Sequence, residues 1–403
     1  MPPDHSRRSL LASLGSLALA GCVSDSAGDG TTTKPMTAAT SEQPTTTGRP
    51  ETPDQIASSW PMPAADPGRS NYVPDATGPT EPVAELWRTT ASASLSKPVL
   101  AEGVLYVGGD DGTVRALDAR TGETRWQQSV GSAARTPWLY QGQLFVPTSE
   151  AIVVLAAGDG AEQWRVETPD CAAMLVAAHG VYWLSRGPPT VVALAPADGS
   201  ERWRTELADP WEPPLLAGED AVFVSSGTYD TRFWRLAADT GSLLGEDPSS
   251  GADFPAEQCY RDGTVFAVEG FFGGVRATSV RDDGNGWRQV DVPPAGGGAG
   301  GLSVGAEYVF YTSNYETSQV FALSRTDGTV AWTAAVGAAL SGRPVVAGEA
   351  VLVRTKDGLR CLDPADGTER WTESSIGSDA SVVVADDLLF TTQADTVRAL
   401  RPV

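Results

Sequence analysis

Thiol and imidazole side chains commonly carry metal and redox chemistry, and this chain has few of either. The cysteines and histidines are Cys22, Cys171, Cys259, Cys361, His5 and His179. No two cysteines are adjacent or separated by two residues, and the histidines lie far apart, so no metal or haem site is predicted. If Cys22 is modified as argued below, the other three cysteines allow at most one disulfide, and buried free thiols are expected.

Basic side chains stand just before prolines at three places, in Lys97-Pro98, Arg135-Thr136-Pro137 and Arg343-Pro344, and an acidic one does so in Glu212-Pro213. Three cations around one opening would hold an anionic group on an otherwise acidic protein. The other interpretation is that these are solvated loop charges that counter nearby carboxylates. The residues alone leave both interpretations open.

A second candidate surface is rich in aromatic side chains. Aromatic anchors often dominate binding energy at interfaces, so such a cluster would bind a peptide or a flat ligand. Packing between structural elements would explain it equally well. Its members lie in predicted turns or near predicted strand starts, and they are Trp138, Trp211, Tyr229, Asp230, Phe271, Phe272, Asn314 and Tyr315.

The elements that carry these residues are short strands joined by tight turns. Residues 103–126 read GVLYVGGDDGTVRALDARTGETRW, and two alternating runs flank the turn Gly109-Asp110-Asp111-Gly112. Glycine and aspartate accept the positive φ of a tight hairpin. A second turn at residues 118–122 leads into a strand that bears Trp126. One unit therefore supplies at least three strands.

This unit recurs with a period of about 40 residues, which for short strands is typical of propeller blades. Its turn glycines are Gly122, Gly160, Gly199, Gly241, Gly284, Gly328 and Gly367. A large indole whose N–H can bond a neighbouring carbonyl suits the seam between blades. Such a tryptophan follows six of the seven turns, whereas the Gly241 copy has leucines at that place. One more tryptophan precedes the first turn. The seven tryptophans are Trp87, Trp126, Trp164, Trp203, Trp287, Trp332 and Trp371.

The residues Ala116, Asp118, Thr121, Gly122 and Trp126 resemble the AxDxxTGxxxW docking pattern of pyrroloquinoline-quinone (PQQ) repeat propellers. Partial matches lie at residues 195–203, 323–332 and 362–371, and the resemblance covers the chain from about Trp87 to its end. It implies an all-β propeller fold. It does not fix the chemistry, because that family contains both enzymes and non-catalytic scaffolds.

The two ends of the repeat region complement each other. Residues 85–90 form a tryptophan-bearing strand with no hairpin before it, whereas residues 387–400 form a hairpin with no such strand after it. Joining them completes one blade and closes the ring without an exposed edge. We therefore predict an eight-bladed β-propeller of four-stranded antiparallel blades, with seven blades as the alternative because the unit around Gly241 is degenerate.

The charge balance is strongly acidic. The chain has 51 Asp and Glu against 29 Lys and Arg, for a net charge of −22, and its lysines are only Lys34, Lys97 and Lys356. Hydrated carboxylates keep a protein soluble in high salt, so this composition favours a halophile, such as a haloarchaeon, over an acidic mesophile. Nucleic acid is not expected as a partner, since a basic footprint is missing.

The N-terminus reads as an export signal. Arg7 and Arg8 precede an apolar run at residues 10–20, too short to span a bilayer of about 30 Å as a helix. The paired arginines resemble a Tat signal, and Leu19-Ala20-Gly21-Cys22 resembles the lipobox of prokaryotic lipoproteins, in which the cysteine carries the lipid. The sequence thus predicts export and a lipid anchor on the outer face of the cell membrane.

We divide the chain into a signal peptide (1–22), a disordered tether rich in Thr, Ser and Pro (23–59), an extended segment packed on the propeller (60–84) and the propeller itself (85–403). The protein is expected to be a monomer.

Two functional classes fit this organisation. The first is a non-catalytic surface scaffold that binds a protein or surface polymer and needs no cofactor, similar in plan to the propeller lipoprotein of the outer-membrane β-barrel assembly machinery. The second is a quinoprotein dehydrogenase, for which the resemblance implies PQQ and Ca²⁺ in the channel, adjacent disulfide-bonded cysteines and a catalytic aspartate. The chain has no adjacent cysteines and few asparagines, which favours the scaffold. A polymer-cleaving propeller would need paired carboxylates across the channel, which a sequence cannot show.

Overall fold

The computed structural model describes residues 55–169, 171–208, 215–225, 232–248, 255–269, 273–280, 286–294 and 301–403. These residues form β-strands and no helix. Several predicted functional residues lie outside the described part of the chain: Arg7, Arg8, Cys22, Trp211, Glu212, Tyr229, Asp230, Phe271 and Phe272.

Eight sheets of antiparallel strands follow one another along the chain, and each hairpin predicted from the alternating runs becomes the middle pair of one sheet. In chain order, β1 (Tyr72–Val73) and β2 (Val83–Thr90) come first. Blade 1 has β3 (Val99–Ala101), β4 (Val104–Gly108), β5 (Thr113–Asp118) and β6 (Thr124–Ser129); blade 2 has β7 (Trp138–Tyr140), β8 (Gln143–Pro147), β9 (Ala151–Ala156) and β10 (Glu162–Glu167); blade 3 has β11 (Cys171–Ala177), β12 (Gly180–Arg186), β13 (Pro189–Leu194) and β14 (Glu201–Glu206); blade 4 has β15 (Leu216–Ala217), β16 (Ala221–Ser225), β17 (Arg232–Ala237) and β18 (Leu243–Pro248).

The second half of the ring repeats the plan. Blade 5 has β19 (Pro255–Arg261), β20 (Thr264–Glu269), β21 (Val275–Ser279) and β22 (Gly286–Gln289); blade 6 has β23 (Leu302–Val304), β24 (Tyr308–Ser313), β25 (Gln319–Ser324) and β26 (Val330–Ala335); blade 7 has β27 (Leu340–Ala347), β28 (Ala350–Thr355), β29 (Gly358–Leu362) and β30 (Glu369–Glu373); blade 8 has β31 (Ser381–Ala385), β32 (Leu388–Gln393) and β33 (Thr396–Pro402), completed by β2.

Burial falls from the inside of each blade to its outside. The second strand β4 is buried along its whole length, whereas the outermost strand β6 alternates between exposed and part-buried residues. Middle strands are covered by neighbouring blades on both faces, so they read as continuous apolar runs. The outer strand has one face in water and keeps the alternating pattern.

Closure of the ring is confirmed. Strand β2 pairs antiparallel with β33, from Val83 opposite Pro402 to Thr90 opposite Thr396. The fourth strand of blade 8 therefore comes from the N-terminal side of the repeat region. The count is eight blades, and the seven-blade alternative is wrong because the degenerate unit around Gly241 still forms a complete four-stranded sheet.

The docking tryptophans lie in the seams between blades. Except for Trp371, the indole N–H of each docking tryptophan donates to a carbonyl in the turn of the next blade, as Trp126 does to Ala157 at 2.9 Å. The turn glycine lies directly over the ring: a Cβ on Gly160, whose φ is +77°, would be 2.6 Å from Cε3 of Trp126. The same arrangement recurs for Trp87, Trp164, Trp203, Trp287 and Trp332.

The N-terminal extension makes closer contacts than the sequence suggested. Residues 60–73, the channel segment, were expected only to pack on the propeller. The segment exchanges backbone hydrogen bonds with the innermost strands of six blades in ring order, at Leu100, Leu139, Ala217, Tyr260, Val304 and Val346. It ends as β1, which pairs in parallel with β27. A chain that meets the inner strands in this order lies within the central channel and runs around its wall.

Contacts with the propeller also begin earlier than predicted. Residues 55–59 were assigned to the disordered tether, but the backbone N–H of Ser58 donates to Asp386 Oδ1 at 3.0 Å, and Ile56 is buried in the hydrophobic core. The polar composition of the preceding residues hid this short apolar contact.

Candidate functional site

A cavity with several cationic lining residues lies beside the channel segment, near the starts of the innermost strands. It has a volume of about 200 Å³, and four of its lining residues are cations: Arg69, Lys97, Arg343 and Arg354. Neutral residues complete the described lining, which contains no Asp or Glu. We refer to this cavity as the cationic pocket.

Different elements bring the four cations together. Arg69 belongs to the channel segment, Lys97 precedes β3 of blade 1, and Arg343 and Arg354 lie on β27 and β28 of blade 7. Arg69 follows a turn at Asp66 and has a φ of 60°. The channel segment therefore supplies both the floor of the pocket and one of its charges.

Fixed hydrogen bonds hold the Arg343 side chain. Its Nε donates to the Leu302 carbonyl at 2.8 Å and lies 3.0 Å from a carboxylate oxygen of Glu257. Its Nη2 donates to the Gln258 carbonyl and to Cys259 Sγ, each at 2.9 Å. Its Nη1 is buried and has no hydrogen-bond partner among the described residues. The Arg343 guanidinium is therefore held in one orientation, and its Nη1 is a donor that has no acceptor among the described residues.

The pKa values of Lys97 and Arg69 are lowered by burial and by neighbouring positive charges. Burial lowers the pKa of Lys97 well below 10.5, and the charges of Arg354, Arg343 and Arg69 lower it further. Burial, together with the charge of Arg343, lowers the pKa of Arg69 to about 10. Lys97 Nζ lies 4.7 Å from the centre of the Trp60 ring, a cation–π contact. Positive charge is thus concentrated at this point of an acidic protein.

Only two of the three cations predicted from the sequence meet here. Lys97 and Arg343 line the cationic pocket, but Arg135 does not: it is exposed and lies near Cys171 at the entrance to blade 3. Arg69 and Arg354 were not predicted from the sequence. Arg354 had a detectable signal, since a charge inside the buried run of β28 needs an explanation. Arg69 had none, because nothing in its neighbourhood indicated a channel segment.

The predicted aromatic surface is only partly within the described residues. Tyr315 is 47% exposed in the turn after β24, as a binding side chain would be. Trp138, by contrast, is buried in the hydrophobic cluster of blades 2 and 3, so its ring packs between blades instead of facing solvent. Asn314 bridges blades 6 and 7, donating to the Leu340 carbonyl and accepting from the Leu340 N–H. Its role in the fold is therefore structural.

Three free cysteines are buried: Cys171, Cys259 and Cys361. Burial raises the pKa of the Cys259 thiol to about 11 and that of Cys361 to about 12, which keeps both neutral and unreactive. Among the described residues, no three His, Cys, Asp or Glu side chains come together as a metal site would require. The described part of the chain contains no helix long and apolar enough to cross a bilayer.

The ring of blades, the docking tryptophans and the turn glycines define a β-propeller of the PQQ-repeat class. A family model described as "Outer membrane protein assembly factor BamB" matches residues 80–165, 148–258 and 272–402. Since these matches cover more than half of the chain, the protein belongs to this family of propellers.

Individual relatives match less of the sequence. The outer membrane protein assembly factor BamB of Alteromonas naphthalenivorans is 43% identical over 65 residues, which is 16% of this chain and 16% of that protein's length. BamB of Moraxella catarrhalis has a similar structure, with a TM-score of 0.60 and 16% identity over 79% of this chain and 98% of the other. The quinohemoprotein alcohol dehydrogenase of Pseudomonas putida HK5 gives a TM-score of 0.65 and 12% identity over 85% and 80%. At these identities, the structural likeness shows the fold alone.

Proposed function

We propose that the protein is a non-catalytic scaffold, anchored by lipid at Cys22 on the outer face of the cell membrane, whose propeller binds a protein or surface-polymer partner. The observation that carries the proposal is the channel segment. Residues 60–73 occupy the channel in which the resembling quinoproteins hold their cofactor, and backbone hydrogen bonds to six blades hold them there.

The side chains of the cationic pocket do not fit a calcium-bound quinone. Calcium requires six to eight oxygen ligands, several of them carboxylates. The cationic pocket instead offers Arg69, Lys97, Arg343 and Arg354, with no carboxylate in its described lining. Its positive field would repel a divalent cation. We therefore assign no cofactor, and the PQQ-dependent dehydrogenase is the alternative function.

Two measurements separate these functions. Full-length protein captured from native membranes in high salt should bring down a specific partner. Purified protein given PQQ and Ca²⁺ should show neither saturable quinone binding nor alcohol-dependent dye reduction. Turnover of alcohol under these conditions would establish the dehydrogenase and refute the scaffold as the main function.

A further inference from the structure

The cationic pocket is the one feature of the described channel that the scaffold function does not explain. The chain carries a net charge of −22, so a random cavity on this protein would be lined mainly by acids. The pocket shows the opposite, with four cations and no acid in its described lining. Burying like charges together is costly unless a counter-charge is present.

Nearby carboxylates compensate this charge only in part. Glu257 pairs with Arg343. Burial lowers the pKa of Arg354, and the charge of Asp379, which also accepts a hydrogen bond from Gln393, opposes this only in part. Asp66 lies near Arg69, but its carboxylate also accepts a hydrogen bond from the Ser70 N–H at 3.1 Å. Among the described residues, no ion pair reaches Lys97.

The donors around the pocket are also preorganised. Arg343 is held by two backbone carbonyls, and Arg354 Nη1 donates to the Ala380 carbonyl at 2.6 Å. Two guanidinium donors, Arg69 Nε and Arg343 Nη1, are buried without a hydrogen-bond partner among the described residues. Buried donors without partners cost free energy, and an acceptor that reaches either of them would recover part of it.

We propose that the cationic pocket binds a compact oxyanion of the phosphate, sulfate or carboxylate type. Arginine and lysine form charge-assisted hydrogen bonds with such groups, and the guanidinium fork matches their oxygens. A cavity of about 200 Å³ has room for one such group and a few waters, since a water occupies about 30 Å³. The anion is either a free ion or a carboxylate on a partner's side chain; the second source rests on the proposed scaffold function.

The test is calorimetric titration of full-length protein with inorganic phosphate at constant ionic strength. We expect saturable binding of one equivalent, weakened about tenfold or more in Lys97→Met, which keeps the stem packed on Trp60 and removes the charge. Arg354→Gln is the second variant, in case the first folds poorly. Lys356→Met is the matched control. Lys356 is an exposed lysine that follows β28, the strand that carries Arg354, and it lies outside the pocket lining.

A second readout separates binding from a structural role. Without phosphate, Lys97→Met should melt at the same or a higher temperature than wild type, because a repelled charge is gone, and the rise in melting temperature caused by phosphate should shrink. A residue needed only for folding would lower the melting temperature and leave the phosphate effect unchanged, which would overturn the proposal.

A short glutamate-rich peptide distinguishes the two sources. Lys97-dependent binding of phosphate supports a free ion, and Lys97-dependent binding of the peptide alone supports a partner's carboxylate. Binding of neither, or equal binding by wild type and Lys97→Met, would refute the oxyanion site. The pull-down that tests the scaffold does not depend on this result, so the two proposals fail separately.

Discussion

The indole N–H of Trp371 donates a 2.9 Å hydrogen bond to the carbonyl of Pro79, which lies 292 positions earlier in the chain. At other seams, the acceptor belongs to the turn of the blade that follows in sequence, as for Trp332 and Pro364. Blade 8 has no such turn, because its third and fourth strands, β33 and β2, come from opposite ends of the repeat region. Pro79 takes the place of the missing turn.

We predict that Trp371→Phe destabilises the protein as much as Trp126→Phe does. Both changes keep most of the ring packing and remove one hydrogen bond, which costs about 0.5–1.5 kcal/mol. A weaker second donor stays at each carbonyl, Tyr106 Oη at 3.2 Å from the Ala157 oxygen and Cys361 Sγ at 3.5 Å from the Pro79 oxygen. Chemical denaturation of the two variants measures this. If Trp371→Phe were neutral while Trp126→Phe was costly, Pro79 would not be part of the seam.

Gly160→Ala should be clearly more destabilising than Gly142→Ala. The two glycines have nearly the same backbone, with φ of +77° and +74°, so the strain of adding a Cβ is similar. A Cβ on Gly160 would collide with the Trp126 ring at 2.6 Å, whereas one on Gly142 would meet no atom within 4 Å. Overpacking of this kind costs about 1–3 kcal/mol, and thermal unfolding of the pair isolates it. Equal losses would mean that backbone strain alone selects the seam glycine.

The stability of the protein should depend on pH through Lys97. Its pKa is lowered in the folded state, so between that value and 10.5 the unfolded state binds more protons, and stability rises with pH across this window. Tyr106 opposes the trend above pH 10, because burial raises its pKa to about 12. The informative quantity is therefore the difference between wild type and Lys97→Met, measured by denaturation from pH 7 to 10 without phosphate. We expect wild type to gain stability relative to the variant as the pH rises, and a constant difference would contradict the lowered pKa.

The proposed lipid anchor gives a direct test. Because Cys22 ends the predicted lipobox, Cys22→Ser should release the protein from the membrane fraction into the medium, as followed by immunoblotting of fractionated cells. Cys171→Ser is the control, since that thiol is buried in blade 3 and plays no part in anchoring. Retention of Cys22→Ser on the membrane would refute the anchor.

Much of the fold could be predicted because each blade repeats its own local signals. The turn glycines mark seam positions at which a Cβ would strike a tryptophan ring, so sequence spacing and three-dimensional packing carry the same information. Even the shared blade was predictable, because β2 lacked a hairpin and the final hairpin lacked a partner strand.

The site was less predictable, because it depends on contacts between distant parts of the chain. Lys97 and Arg343 could be identified from their place before prolines at the inner strands, but Arg69 belongs to a segment with no repeat pattern. For Trp138 the sequence left both interpretations open for a similar reason: an aromatic residue near a strand start looks the same in sequence whether it faces solvent or the next blade.

The path of residues 55–90 also has a mechanical consequence. The same stretch of backbone first lies in the central channel, where it is hydrogen-bonded to six blades. It then runs outward and becomes β2, the fourth strand of blade 8. A ring of repeats could otherwise unfold one blade at a time, starting at its closing blade. Here blade 8 cannot open unless residues 60–73 also leave the channel, so the whole propeller should unfold in one cooperative step.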